Sequence, residues 1–264
     1  MKAAVVTVSY NSQENIERTI KSVLSQDFSD FEYWIQDGGS SDGTLEIIEK
    51  YKERFEKKNI KYNFVSERDE GIFDAMNKSI KRIQAEFVIF LNCGDFFTSS
   101  HVLANVFEKN DLEDIDIIYG NYYRYGKEYR RKIISEEPYK IMQRMICSHQ
   151  AIFTRTALLC ERNYNTEYKM AADYDFYLEM YLAGKHYKYM DMEFVYFEVS
   201  GISQKNARQT QKERLSIQLK HKCITEAQYK KQRLRIPVVC LKKWILGILP
   251  DFFRYRNYES FERT

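Results

Sequence analysis

Four short apolar runs, each followed by residues at helical spacing, constrain this chain more than any other feature. "AAVVTVS" (3–9) reads as a buried strand, and Ile16, Ile20, Val23 and Leu24 after it form one helical stripe. Asn11 stands as the candidate N-cap of that helix, with Glu14 completing a capping box. "FEYWIQ" (31–36) is a second strand, followed by the turn-rich "DGGSSDGT" and a helix through Phe55. "KYNFVS" (61–66) is a third, with Ile72, Met76, Ile80 and Ile83 repeating behind it, and "EFVIFL" (86–91) is a fourth. This alternation predicts an α/β fold, a doubly wound and largely parallel sheet flanked by helices. Ligands in such sheets bind beyond the carboxyl ends of the strands. The segments there are "YNS", "DGGSSDGT", "ERDEG" and "NCGD", and the last three are acidic. Converging carboxylates repel one another unless a cation or hydrogen-bond donors sit among them.

The pattern blurs after residue 110. "DIDIIYG" (114–120) and "HQAIFT" (149–154) read as strands, 168–184 as a helix ended by Gly184, and 186–201 as strand-rich. The rest is helical in composition. Charge divides the chain at the same place: from residue 201 onward 15 Lys/Arg face 5 Asp/Glu, whereas 26 face 33 before it. An acidic body with a basic tail suggests that the tail meets something anionic. The five cysteines are widely spaced with no CxxC, poor material for a disulfide framework or a zinc knuckle, and fit a reducing cytosol. Met1 and Lys2 lead directly into a strand, so no leader is expected. "IPVVCLKKWILGILP" is split by Lys242 and Lys243 and is too short to span a bilayer.

A crevice at strand ends suits a nucleotide, yet no GxGxxG or GxxxxGK[ST] cradle is present. A diphosphate bound without one needs a divalent cation, and a hard cation needs carboxylate oxygens. Asp95 at the end of the fourth strand is placed to hold such a cation; a turn after Gly94 is the competing reading.

The opening stretch through "IQDGGSSDGT", then "SERDEGIFDAMNKSI", "FLNCGD", "SHQAIF" and "AADYDFYL", in that order, strongly resembles glycosyltransferase family 2. The resemblance covers roughly residues 3 to 203, is nearest to bacterial members that build surface polysaccharides, and implies the GT-A fold. It also implies transfer of a sugar from a nucleotide diphosphate to an acceptor hydroxyl with inversion, usually with Mn²⁺ or Mg²⁺. By this resemblance 1–203 is the catalytic domain, with 1–110 the nucleotide-binding half and 111–203 the acceptor half. Residues 204–264 are a basic amphipathic tail.

An inverting displacement needs one base for the acceptor's proton, and Asp173 occupies the position the family uses. Its alternative role is to complement a helix dipole, and Asp175 is the reserve base. Relatives typically read Asp-x-Asp-Asp where this chain has Asn92-Cys93-Gly94-Asp95, which leaves Asp95 as the metal ligand and Cys93 as a small neutral filler. Many relatives carry Asp-Asp-Gly-Ser where this chain has Asp37-Gly38-Gly39-Ser40, so Asp37 is the expected nucleobase reader, favouring a UDP donor. Tyr10 is expected to stack on the base, or else to be a core tyrosine, and Asp69 and Asp74 to contact ribose or sugar, or else to serve a loop and a helix cap. His149 is a candidate acceptor or phosphate contact, equally readable as a structural histidine on a strand.

The Gln-x-x-Arg-Trp motif of processive synthases is absent, which predicts transfer of a single hexosyl or N-acetylhexosaminyl unit. The expected partners are a UDP-sugar donor and a glycan or polyprenyl-linked acceptor. The mixed basic and apolar tail suits peripheral contact with the inner face of the cell membrane, or packing on the body, and the acidic crevice disfavours nucleic acid. The location expected is cytoplasmic. The competing function is a non-catalytic relative that binds nucleotide-sugar or glycan, or scaffolds an assembly.

Overall fold

The structure is a computed structural model that describes residues 1–126, 129–198, 206–248 and 259–260. Parts of the strand-rich reading and of the predicted tail therefore lie outside the described residues. Strand β1 (Ala3–Ser9) is central, pairing in parallel with β2 (Phe31–Asp37) on one side and β4 (Phe87–Phe90) on the other. Strand β3 (Lys61–Ser66) extends the sheet in parallel beyond β2. All four carboxyl ends thus open on one edge.

Every residue of β1 is buried, which explains why "AAVVTVS" does not alternate. Ala3 and Val5 face one core with α1 (Ile16–Leu24), α2 (Thr44–Lys50), α3 (Lys52–Glu56) and α5 (Val102–Phe107). Ala4, Val6 and Val8 face the other, with α4 (Ile72–Ile80), α6 (Thr156–Glu161) and α7 (Ala172–Leu182). Each wholly buried valine contributes about 1.5–3 kcal/mol relative to exposure. Thr7 is tolerated there because its hydroxyl donates to the Leu91 carbonyl (2.8 Å) and pairs with the Tyr33 hydroxyl (3.0 Å).

The second half makes the sheet mixed. Strand β8 (Ile152–Arg155) runs antiparallel to β4, and β6 (Ile117–Tyr125) runs antiparallel to β8. Strand β7 (Tyr129–Ile133) and a two-residue strand β10 (Glu259–Ser260) continue outward. Strand β9 (Tyr187–Glu198) lies parallel to β6, and β5 (Phe96–Phe97) pairs with it. This brings the end of β9 over the loop that follows β4. Helices α8 (Ala207–Lys220) and α9 (Glu226–Ile248) follow, with Pro237 inside α9. Among the described residues no helix is long and apolar enough to cross a membrane.

Two local expectations are corrected. Asn11 is no helix N-cap: it adopts φ 45°, and its side chain accepts the Ser41 N–H (3.0 Å). The turn it begins delays α1 to Ile16, so the chain bends toward the 37–44 loop before it can coil. His149 is not on a strand but in a 3-10 turn, His149–Ala151, that precedes β8.

Candidate functional site

Asp37 ends β2 opposite Ser9 of β1 and is wholly buried. Its carboxylate accepts from the hydroxyls of Ser9 (3.0 Å), Ser40 and Ser66 (2.7 Å) and from the N–H groups of Gly39 (3.0 Å) and Ser40 (2.8 Å). Burial alone would raise its pKa, but these donors more than offset that and leave it lowered. Five donors exhaust a carboxylate's roughly four lone-pair positions, so Asp37 organises the loop and has no acceptor left for a ligand.

A second carboxylate, that of Asp69, lies next door. A Cβ on Gly38 would meet Asp69 Oδ2 at 2.5 Å and the Tyr10 ring at 3.3 Å. The carboxylate of Asp69 therefore fills the space into which a side chain at position 38 would project. Its Oδ1 accepts the Gly71 N–H (2.9 Å), leaving Oδ2 turned toward Gly38. Tyr10 is 64% exposed, not a core residue, and presents its ring beside that oxygen. Asp74 is drawn into the start of α4, where it accepts the Glu70 N–H (3.0 Å) and pairs with Lys78 (2.9 Å). Asp42 is likewise a turn residue, accepting the N–H groups of Thr44 (3.0 Å) and Gln13 (3.1 Å).

The loop after β4 turns at Gly94, whose φ of 99° disfavours any side chain. Its N–H donates to the Thr19 hydroxyl (3.0 Å), and its carbonyl accepts from Arg18 (2.9 Å) and the Tyr125 hydroxyl (2.6 Å). Arg18 lies over the Phe96 and Tyr125 rings and pairs with Glu198 (3.7 Å). The turn carries Asp95 inward, where Oδ1 accepts the Glu198 N–H (2.8 Å) and the Gln150 side chain faces the same carboxyl. Burial is the main force on Asp95 and pushes its pKa up to about 8, with the nearby Glu198 charge adding to the rise. A buried acid beside a second carboxylate offers the hard oxygens that a divalent cation suits, with Arg18 the one cation that already faces the pair among the described residues. Cys93 packs against the core, and burial lifts its thiol to about 12, so it stays neutral as filler.

The third group is at the start of α7. His149 Nδ1 lies 3.3 Å from Asp173 Oδ2, and its Nε2 lies 3.0 Å from the Asn92 amide nitrogen. With Asn92 donating, Nε2 accepts, and the ring's Nδ1–H faces the acid. Asp173 Oδ1 accepts the Tyr174 N–H (2.8 Å). Burial opposes its ionisation, yet the His149 bond and the Arg214 charge leave its pKa lowered. One dipeptide, His149-Gln150, therefore touches both acids: Asp173 through the histidine and Asp95 through the glutamine.

Asp175 faces elsewhere. It is wholly buried and paired with Arg162 (3.1 Å), Lys220 (3.1 Å) and His221 (2.7 Å), which ties α7 to the end of α8. Asp175, Glu179 and His221 form the one group of three or more converging His, Cys, Asp or Glu side chains among the described residues. Arg162 bonds both acids (2.9 Å to Glu179), so their charge is already compensated without a metal.

Sequence reasoning missed Gln150, Glu198 and the contribution of α8. Glu213 of α8 accepts the N–H groups of Lys169 (3.1 Å), Met170 (2.8 Å) and Ala171 (3.0 Å), satisfying the backbone that leads into α7. Gln218 bonds the Tyr174 hydroxyl (3.1 Å). "SHQAIF" carried a signal for Gln150; nothing local marked Glu213.

A parallel nucleotide-type half, an antiparallel second half and acids gathered on the carboxyl edge define the GT-A class of fold. The chain superimposes on Staphylococcus aureus TarS 1-349 in complex with UDP with a TM-score of 0.63 at 22% identity, over 82% of this chain and 65% of that one. For the mannosyltransferase PcManGT of Pyrobaculum calidifontis, in complex with GDP-Man and Mn²⁺, the TM-score is 0.65 at 15% identity, over 89% of this chain and 68% of that one. The profile of Glycosyl transferase family 2 matches residues 4–174, and the chain belongs to that family. It is 28% identical over 175 residues to a PGL/p-HBAD biosynthesis glycosyltransferase of Mycobacterium bovis, covering 66% of this chain and 67% of that protein. It is 30% identical over 183 residues to the chondroitin synthase of Escherichia coli, covering 65% of this chain but 25% of that protein. At this level its function is glycosyl transfer in bacterial glycan biosynthesis.

Proposed function

We propose that this chain is an inverting transferase that moves a single hexosyl or N-acetylhexosaminyl unit from a UDP-sugar to a hydroxyl of a glycan or polyprenyl-linked acceptor. The observation that supports the reading is the His149-Gln150 dipeptide, whose two side chains meet Asp173 and Asp95. In this reading Asp173 is the base. Kept ionised by the His149 bond, it takes the acceptor's proton as the hydroxyl attacks. Asn92 fixes the imidazole from the far side, and Glu213 steadies the segment that presents Asp173. Asp95, with Glu198 beside it, would hold a Mn²⁺ or Mg²⁺ ion. Such an ion, when bound, neutralises charge on the departing diphosphate.

The nucleobase contact is assigned to Asp69 and not to Asp37. A uracil ring stacked on Tyr10 would bring its ring N–H to Asp69 Oδ2, the oxygen beside Gly38. A uridine donor is in keeping with TarS, solved with UDP and with UDP-GlcNAc. Contact with the inner face of the membrane is assigned to α9, where Leu234 is 80% exposed among exposed Lys230, Lys231, Arg233 and Arg235. Calorimetric titration with UDP, with and without Mn²⁺ and with GDP as control, tests the donor site. Asp173→Asn should lose transfer by about 100-fold or more with UDP affinity kept. Transfer that survives this substitution excludes Asp173 as base, and absence of binding by either nucleotide points to the non-catalytic alternative.

A further inference from the structure

Two half-buried arginines, Arg124 and Arg214, each carry a buried Nε with no partner among the described residues. Arg214 lies on α8, one turn before Gln218, and residues four apart share a helix face. Gln218 bonds the Gln143 carbonyl (2.7 Å) and the Tyr174 hydroxyl (3.1 Å), while Glu213 grips the backbone of 169–171. The backbone around Arg214 is thus pinned against the start of α7, and its charge acts on Asp173 and Tyr174. Arg124 lies on β6, two residues from Tyr122 and so on the same face of the strand. It stands opposite Arg131 on β7, and like charges directly opposite are unfavourable. Tyr122 packs on the core that also holds Ile217 of α8 and Ala172 and Tyr174 of α7, and the antiparallel register that sets Tyr119 opposite Ile152 runs on toward Tyr122 and His149. Arg124, on the Tyr122 face, and Arg214 thus approach the Asp173 side, in keeping with the charge of both arginines acting on the Tyr122 hydroxyl.

Half-buried guanidinium donors left unpaired are costly, and their planar forks match the oxygens of phosphate and carboxylate. We infer that Arg124 and Arg214, with the Tyr122 hydroxyl, form a subsite for an anionic group, phosphate or carboxylate, carried by the acceptor next to its attacking hydroxyl. The assignment to the acceptor rests on the reading of Asp173 as base. In an in-line displacement the attacking hydroxyl approaches from the base side, while the diphosphate departs toward Asp95. The acceptor class is then an acidic or phosphorylated glycan or lipid-linked sugar, not a neutral one.

The test is ligand-detected NMR titration of the full chain, loaded with UDP and Mg²⁺, using methyl phosphate and glucuronate as probes and methyl glucoside as the neutral control. At least one anion should bind and the neutral sugar should not; the preferred anion identifies the source. Arg124→Gln and Arg214→Gln should each weaken anion binding about tenfold, with UDP affinity unchanged. If either glutamine variant fails to fold, the lysine variant keeps the charge without the fork and should show a smaller loss. Anion binding that ignores both arginines, or no anion binding at all, overturns the inference. So does a fall in UDP affinity in the variants with no anion binding to the loaded protein, which would put the pair on the donor's diphosphate. Should UDP itself not bind the wild type, the nucleotide reading fails on its own, and the same anion titration on unloaded protein still decides for or against the arginine pair.

Discussion

Replacing Gly38 by alanine tests whether Asp69, and not Asp37, reads the nucleobase. The new Cβ would stand 2.5 Å from Asp69 Oδ2 and 3.3 Å from the Tyr10 ring. Contacts so short must open, and the part free to yield is the Asp69 carboxylate, which is held through Oδ1 by the Gly71 N–H. The fold should absorb the change. Gly38 is not among the residues with positive φ, so the stability loss is about 1 kcal/mol or less, the low end of overpacking. Nucleotide binding should not absorb it, because Oδ2 is displaced from the position where the ring N–H would find it. A hydrogen bond to a charged acceptor contributes roughly 1.5–3 kcal/mol, so UDP affinity should fall about 10- to 150-fold. Calorimetric titration with UDP at fixed Mg²⁺, beside thermal denaturation, separates the two effects. Asp69→Asn is the control: with its one oxygen held by the Gly71 N–H it presents an amide NH2 where Oδ2 stood, so it should lose UDP affinity at least as much without the steric change. Folded Gly38→Ala protein that binds UDP within twofold of wild type would refute the assignment.

Three further outcomes are expected. Asp175→Ala leaves Arg162, Lys220 and His221 facing an emptied buried site, so it should destabilise by about 3–5 kcal/mol and lower Tm by roughly 6–20 °C without changing UDP affinity. An unchanged Tm with lost transfer would instead make Asp175 the base. Asp95, raised by burial to about 8, stays protonated in the folded protein where the unfolded chain has already ionised. Stability should therefore fall as pH rises from about 4 to 8, and Asp95→Asn should raise Tm more at pH 8 than at pH 5; equal gains at both would count against the buried acid. His149→Gln removes a bond that lowers the Asp173 pKa against burial, so the acid limb of the rate profile should move to higher pH. A loss of the same size at every pH would mean that His149 only positions.

What the sequence made legible is what local periodicity encodes. The unbroken apolar run of β1 implied burial on both faces, and the four acidic or polar segments fell on one edge as parallel pairing requires. Gly94 announced the turn that aims Asp95 inward. The 3-10 turn at His149 was hidden because "HQAIFT" has strand composition, and only its second half pairs in the sheet. The consumption of Asp37 was hidden too: three serines from three segments converge on it, and no spacing rule links Ser9, Ser40 and Ser66. Gly38 looked like the loss of an acid, whereas in space Asp69 stands where that acid would project.

The basic tail shows how charge read along a sequence divides once it is folded. Its excess positive charge suggested one surface facing one anionic partner, yet α8 and α9 use their cations differently. In α8, Arg214 acts on Asp173 and Lys220 pairs with Asp175, so these two charges answer acids of α7. The same helix contributes Glu213 to three N–H groups at the start of α7, where an acid in the first turn also gains from the helix dipole. A helix that caps, charges and clamps the segment bearing the proposed base is part of the catalytic geometry, whatever else the tail does. Exposed cations for an outside partner then include Lys230, Lys231, Arg233 and Arg235 of α9, around Leu234, beside Arg208 and Lys212 of α8. Neutralising Lys230, Lys231, Arg233 and Arg235 should weaken binding to anionic vesicles while leaving UDP affinity intact, because all four are exposed on α9, away from Tyr10 and Asp69 in the sequence and the sheet.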